Sequence, residues 1–573
     1  MTASLVLGPM LRYVDTTSAS VWVETSESCT AVLHVDGREW KAPTFAVHGH
    51  HYALLEAEDL PSGAELPYTV DLDGERAWPG AGTRFPQPVV RTLKPGRPLR
   101  LAFGSCRTSV PHDRMGNALH GIDSMRAYAL HQANADDDGP WPDLVAFLGD
   151  QVYADSTSSQ MQNFIRSRRS LDEAPGEELK DYEEYAHLYR LAWSDDANRW
   201  LLSTLPSAMI FDDHDIRDDW NASLSWREKM QETAWWHGRI VAGLASYWVY
   251  QHLGNLSPEA RAEDPLWQRI LSHPGPDELD FTDEIDAFAE RADAEPDSYR
   301  WSYCRDIGDV RLLTVDSRAA RVLEPGVRSL IDEEELKWID EHFQGGFRHL
   351  IIATSLPFLL PRGLHHIESW DEALAEGAWG KRASRIGEGL RQAVDLEHWA
   401  AFQRSFKDLT RLVTEVADGL RGAPPQTITF LSGDVHYSYV AEVERNSGSR
   451  IIQAVCSPIR NPLPRAMRFA TVVMSYGVAS PVGALVARSA RVPKPPFDWK
   501  SVKGPWFDNN LAVLEDTGSG LRLRWTTGID GKDPEAPGLK EVADVTISAR
   551  PGTASFNGSS KEADTQTGAS PAS

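Results

Sequence analysis

The chain has 573 residues, 41% hydrophobic and 25% charged, the composition of a globular protein of about two to four domains. A formal net charge of -25 opposes non-specific binding to nucleic acid or anionic membrane, so neither a stable nucleic-acid complex nor membrane insertion is expected. Four scattered cysteines, Cys29, Cys106, Cys304 and Cys456, exclude a disulfide framework, and no spacing suits a structural zinc site.

The opening "MTASLVLGPMLRYVDTTSASVWVE" lacks a basic n-region and an apolar stretch of signal length. A cytoplasmic protein is expected, with export only if a leader precedes this sequence. Within residues 1–95, "SASVWVE", "TAVLHV", "HHYALLEAEDL" and "LPYTVDLDG" are short alternating runs separated by turn residues. They predict a small all-β sandwich of immunoglobulin or fibronectin-III kind. "RFPQPVVRTLKPGRP" (84–98) reads as a linker.

From 96 to 548 the pattern changes. "LRLAFGSC", "DLVAFLGDQVY", "SAMIFDDHD", "VRLLTVDSR", "HLIIATSLP" and "TITFLSGDVHY" are short apolar runs, each a buried strand, separated by longer stretches. Residues 229–254 predict one long, mostly buried helix and 332–344 an amphipathic one. Strands alternating with helices argue an α/β core. The run "IVAGLASYWVY" is about half the length of a membrane-spanning helix. The tail 549–573, rich in small polar residues, is expected to be disordered.

Each apolar run ends in reactive groups: Cys106; Asp150 with Tyr153; Asp212, Asp213, His214 and Asp215; Asp316 with Arg318; Ser355; Asp434 with His436. In open α/β sheets, ligands bind beyond the carboxyl ends of strands. "MIFDDHDIRDDWN" could be a solvated acidic loop, but adjacent aspartates without the following Gly rule out an EF-hand. Carboxylates suit hard cations and imidazole suits zinc or iron. A tyrosine, with its pKa near 10, points to a strongly Lewis-acidic trivalent ion, with DDHD holding a second, harder cation. Arg107 and Arg318 follow site residues, and each is either a phosphate clamp or an ion-pair partner of the surplus aspartates. Asn221 either donates to phosphate or caps the following helix, for which Ser223 and Ser225 are also cap candidates.

"FGSC" (103–106), "FLGDQVY" (147–153), "FDDHD" (211–215) and "FLSGDVH" (430–436) together resemble the PhoD-type alkaline phosphatases of the calcineurin-like metallophosphoesterases. "TVDSRAAR" (314–321) resembles that family's Asp-Thr-Arg-like segment. The resemblance implies a layered sheet sandwich flanked by helices, preceded by the β-sandwich. It implies a ferric ion with calcium, zinc or manganese being the alternatives. Cys106 would stand in for the superfamily's opening Asp-x-His. Asp150 would bridge the metals and Tyr153 bind the iron. Asp213 would fill the slot of a signature Asn, and His214 would contact phosphate or leaving group. Asp434 and His436 would complete the ligands beside Asp212 and Asp215. The implied reaction is hydrolysis of small phosphate esters, mono- or diesters, by a metal-activated hydroxide. The alternative is a non-catalytic metal-binding or adhesion protein on the same scaffold. The oligomeric state is open.

Overall fold

The computed structural model describes residues 3–134, 141–275, 277–393, 395–464, 467–468, 471–473, 479–531 and 536–553. From 554 on, the tail expected to be disordered lies outside the described residues.

The amino-terminal region is an antiparallel β-sandwich. One sheet orders Leu5–Val14, Ala19–Thr25, His50–Ala57 and Phe45–Val47, and the other Arg38–Pro43, Thr30–Val35, Glu65–Leu72 and Glu75–Trp78. Val21, Val23, Ala53 and Leu55 turn inward and pack with Ala31, Leu33, Tyr68 and Val70. Their neighbours Trp22, Tyr52 and Leu54 face the other way, into a core built with helices of the larger domain. The strand Leu279–Asp280 from that domain extends the first sheet by pairing in parallel with Phe45–Val47. The sandwich is therefore joined to the larger domain along one whole face.

His50 ties the two together. Its Nδ1 lies 3.0 Å from Glu24 and its Nε2 2.9 Å from Glu183 on the helix Tyr182–Trp193. Burial pulls the His50 pKa down, but the two glutamates outweigh it and leave it raised. A raised imidazole pKa stabilises the folded state fully below the unfolded value, near 6.5, and that contribution fades as pH rises through the folded value. His50→Gln is therefore expected to lower the melting temperature at about pH 5.5 and to converge on wild type by about pH 9. An equal deficit at both pH values would mean that only packing was lost.

All six expected runs are strands, in two sheets stacked face to face. In the first, Ser207–Ile210, Leu144–Leu148 and Arg100–Gly104 run parallel, followed by antiparallel Leu511–Asp516, Gly520–Ile529 and Gly538–Ser548. In the second, Val310–Thr314, His349–Ala353, Thr427–Ser432 and Arg450–Val455 run parallel, with antiparallel strands on both sides. The two-residue period explains the layering. Leu101, Phe103, Ala146 and Leu148 meet Leu312, Ile351, Ala353 and Leu431 between the sheets. The alternate residues, Ala102, Val145 and Phe147 in one sheet and Leu313, Ile352 and Phe430 in the other, face helices. Both faces are buried, which is why these runs are continuously apolar.

The amphipathic helix forms over Glu333–His342. The long helix expected over 229–254 is broken. It consists of Leu224–Gln231, Trp236–Tyr247, a π turn Trp248–His252 and a 3₁₀ turn Leu253–Asn255. The break folds Trp226 edge-on against Trp236, 5.4 Å between ring centres. The π turn follows from a distant residue: Arg12 of the first strand donates to the Tyr250 and Gln251 carbonyls at 2.7 and 2.6 Å. Donors inserted among helix carbonyls are a known cause of such distortions.

Candidate metal centre and active site

The carboxyl ends of the two sheets' parallel strands meet at one edge of the sandwich. Two glycines permit the approach. Gly149 has φ 102°, and a Cβ there would lie 2.6 Å from the Asp212 Cβ. At Gly433 it would lie 2.1 Å from the Ser105 hydroxyl. Immediately beyond these strand ends, Cys106, Asp150, Asp434 and His436 adopt left-handed backbone, with φ between 48° and 62°. That conformation is uncommon for non-glycine residues and persists where surrounding structure over-determines it, often at functional sites.

These turns bring the side chains together. Ligand atoms of Cys106, Asp150 and His436 lie within 4.8 Å of one another, as do those of Asp150, Asp213 and His214, and those of Asp212, Asp213 and Asp434. The Tyr153 hydroxyl is 3.2 Å from Asp150 Oδ2 and 3.5 Å from His436 Nε2. Asp150 belongs to two of the groups and so sits between them.

The residues fit cations. Asp150 Oδ1 and Asp212 Oδ2 are buried without a hydrogen-bond partner, a costly arrangement for an ionised oxygen. Sulfur, imidazole, phenol and carboxylate around Asp150 match a transition ion, and the all-carboxylate group matches a harder one. Burial first, then the charge of Asp150, pushes both the Cys106 thiol and the Tyr153 phenol well above their ordinary pKa values. Both are protonated without a cation, so their ligation must release protons.

Three neighbours escape sequence reasoning. Asp155 accepts from His214 Nδ1 at 2.9 Å. Burial lowers the His214 pKa, but Asp155 and Asp213 overcome it and hold it well above the ordinary value. His398 spans Glu368, 2.7 Å from Nδ1, and Asp434, 2.8 Å from Nε2. This carboxylate–imidazole pair fixes the orientation of Asp434, as partners of metal ligands commonly do. Asp155 shares the run that carries Asp150 and was open to detection. Glu368 and His398 come from a helix and a later turn with no motif to mark them.

Four of the expected residues have their polar groups engaged with other partners. Asp215 has both oxygens engaged: its Oδ2 accepts the backbone N–H groups of Asp150 and Asp212, each at 2.9 Å, and its Oδ1 accepts from Gln251. It joins two strand ends. Arg107 takes the ion-pair alternative: its guanidinium donates to Asp123 at 2.7 and 2.9 Å and to the Ala192 carbonyl. Arg318, fully buried, is also no exposed clamp. It pairs with Asp212 and Glu397 and lies 3.2 Å from Asp213 and 3.7 Å from Asp434. Asn221 does not cap the helix. Ser223 caps the helix Leu224–Gln231, while the Asn221 amide donates to the Arg318 carbonyl at 3.2 Å. Asp316 and Ser355, noted at other strand ends, shape turns. Asp316 accepts three successive N–H groups from Arg318 to Ala320, and Ser355 bonds Ser317 at 2.9 Å. All four cysteines are free.

Residues 109–274 match the family model described as PhoD-like phosphatase, and residues 2–90 match a domain of unknown function, DUF7800. No curated protein matches the chain. Among solved structures, that of PhoD aligns with a TM-score of 0.60 at 13% identity, covering 95% of this chain and 90% of that one. Purple acid phosphatase PPD1 from yellow lupin (Lupinus luteus) seeds aligns at 0.49 and 11% identity, covering 94% and 74%. Residues 109–274 are thus similar to PhoD-like phosphatases, and the chain shares its overall fold with PhoD.

Proposed function

We propose that this protein hydrolyses small phosphate esters at the centre formed by Cys106, Asp150, Tyr153, His436, Asp212, Asp213 and Asp434. The observation that carries this is the convergence of mixed sulfur, phenol, imidazole and carboxylate donors, held by left-handed turns, on one edge of the sandwich. Cys106, Asp150, Tyr153 and His436 would hold a ferric ion, and Asp212, Asp213 and Asp434 would hold calcium. Such ions would supply Lewis acidity to the phosphoryl group and to water. Asp150, shared between two donor groups, keeps their spacing fixed. His214 carries its proton on the strength of Asp155 and Asp213, and its Nε2 is the group suited to protonate the leaving oxygen. Asp434, oriented by His398, keeps one carboxylate edge turned to the centre.

Assays with p-nitrophenyl phosphate and bis-p-nitrophenyl phosphate, with iron and calcium supplied, test the reading. Turnover of either supports it, and the ratio assigns monoester or diester preference. No turnover of either, in protein shown to contain metal, favours a binding protein. Metal identity has its own readout. A ferric ion beside phenolate and thiolate absorbs visible light, whereas d¹⁰ zinc has no such band. Iron-loaded protein is expected to be coloured, and Tyr153→Phe to lose the phenolate part of the band while melting like wild type. A colourless, active protein with stoichiometric zinc or manganese and no iron would replace the ferric assignment.

A further inference from the structure

The helix Ala479–Ser489 packs the wrong way round for a soluble protein. Its buried positions are Gly483 and Ala487, with Ala490 just beyond its end, all small. A Cβ on Gly483 would lie 3.0 Å from the His366 Cβ and 3.2 Å from the Gly363 carbonyl, so this small-residue side seats on the helix Arg362–Ala375. Two of its large apolar residues face outward, Val482 at 53% exposed and Leu485 at 67%, while Val486 is half-buried. A surface helix ordinarily buries its large apolar residues and exposes polar ones.

A second element extends the surface. The Trp379 indole, 50% exposed, donates to the Ser489 carbonyl at 3.3 Å, which places it at the carboxyl end of that helix. The helix Lys381–Ala393 follows, lying against the same supporting helix through Gly387, whose Cβ would sit 2.9 Å from the Ala375 nitrogen. It exposes Ile386 at 68%. Around these apolar residues stand Lys381, Arg382, Arg385, Arg488 and Arg491, all exposed. Residues 376–393 expose Lys381, Arg382 and Arg385 beside Glu376, with Arg391 buried on Glu388, and residues 479–494 add Arg488, Arg491 and Lys494 with no acid, in a chain whose net charge is -25.

We infer that this surface docks the protein on an anionic lipid membrane. The local charge reverses that of the chain. At physiological ionic strength charges interact over about 8 Å, so at contact the patch prevails over the distant acidic bulk. A second copy meeting the same face would set basic side chains against basic ones, which disfavours a symmetric dimer. The apolar side chains protrude rather than line a groove, and a bilayer interface accepts protruding Trp, Leu and Val without a matching shape while attracting flanking Arg and Lys. Docking of this kind is peripheral, and no helix among the described residues is long and apolar enough to cross a membrane. The supporting helix also carries Glu368, which holds His398 and through it Asp434. The docking face therefore lies one helix away from the metal centre.

Sedimentation of the full chain with vesicles of phosphatidylcholine alone, and with one third phosphatidylglycerol, tests this. At least about tenfold tighter binding to the anionic vesicles is expected. Arg488→Glu with Arg491→Glu should abolish that preference. Val482→Ser with Leu485→Ser should weaken binding by about tenfold or more, with wild-type circular dichroism and melting in both variants. Equal binding to the two vesicles, absence of binding, or variants that bind like wild type would each overturn the inference. Concentration-dependent association removed by Val482→Ser with Leu485→Ser would overturn it in favour of a second copy.

Discussion

Asp150→Asn yields a folded protein with turnover reduced by about 10³-fold or more, equivalent to roughly 4 kcal/mol of transition-state stabilisation. The substitution isolates charge. Asparagine keeps the shape and tolerates the left-handed backbone at φ 48°, which alanine would strain. In the metal-free protein Asp150 is a liability. Burial pushes its pKa well up, His214 counters this, and Asp212, Asp213 and Asp215 push it further. Its Oδ1 has no partner. Removing the charge therefore relieves repulsion, and the metal-free variant is expected to melt at or above the wild-type temperature. Loss of activity without loss of stability is the signature of a group kept for function at a cost to the fold. Metal analysis should show reduced metal content in step with activity. Near-wild-type activity and metal content would remove Asp150 from the centre.

The parts of this centre legible in the sequence share one property: each stands within a few residues of a strand that announces itself. Leu144–Leu148 is apolar on both faces, so Asp150 and Tyr153 could be placed beyond its carboxyl end before any coordinates. The same holds for Cys106, for Asp212 and Asp213, and for Asp434 and His436. What the sequence could not show is the partner chosen by a charged group. Arg107 is adjacent to Cys106, yet its guanidinium turns to Asp123, at the start of a helix in another layer. Asp215 lies within the DDHD run, yet its oxygens meet the two N–H groups that strand closure brings to it. The long helix failed for a related reason. At its carboxyl-terminal end, the Tyr250 and Gln251 carbonyls of the π turn accept from Arg12, more than 200 positions away. Short-range pattern locates strands and their ends, but pairing across layers depends on the closed fold.

Arg318→Met tests the other half of the centre, and here stability is the quantity that moves. The side chain has no exposure and is ringed by Asp212, Asp213, Glu397 and Asp434. With Arg318 gone, Glu397 keeps Arg321 at 2.9 Å, Asp434 keeps His398 at 2.8 Å and Asp213 keeps the charge of His214. Methionine fills similar space without charge, so Asp212 above all stays buried with its direct countercharge gone. Breaking a buried pair from one side typically costs about 3–5 kcal/mol. A large fall in the melting temperature is expected in chelator-treated protein at neutral pH. The direction of its pH dependence follows from the carboxylates. Burial already raises the pKa of Asp212 and Asp213 with Arg318 present, and removing the guanidinium raises them further. The destabilisation is thus greatest above those folded values and shrinks as pH falls through them, because protonation discharges the unpaired groups. Calcium supplies the missing charge by another route. If the Asp212, Asp213 and Asp434 oxygens accept it, millimolar calcium should restore the variant's melting temperature more than it raises the wild type's, by mass action on the folded state. Arg318→Lys, with one compact charge in place of a planar fork, should fall between the two. An Arg318→Met protein as stable as wild type in chelator, with no response to calcium, would mean that these carboxylates are protonated at neutral pH and that the guanidinium is dispensable to the fold.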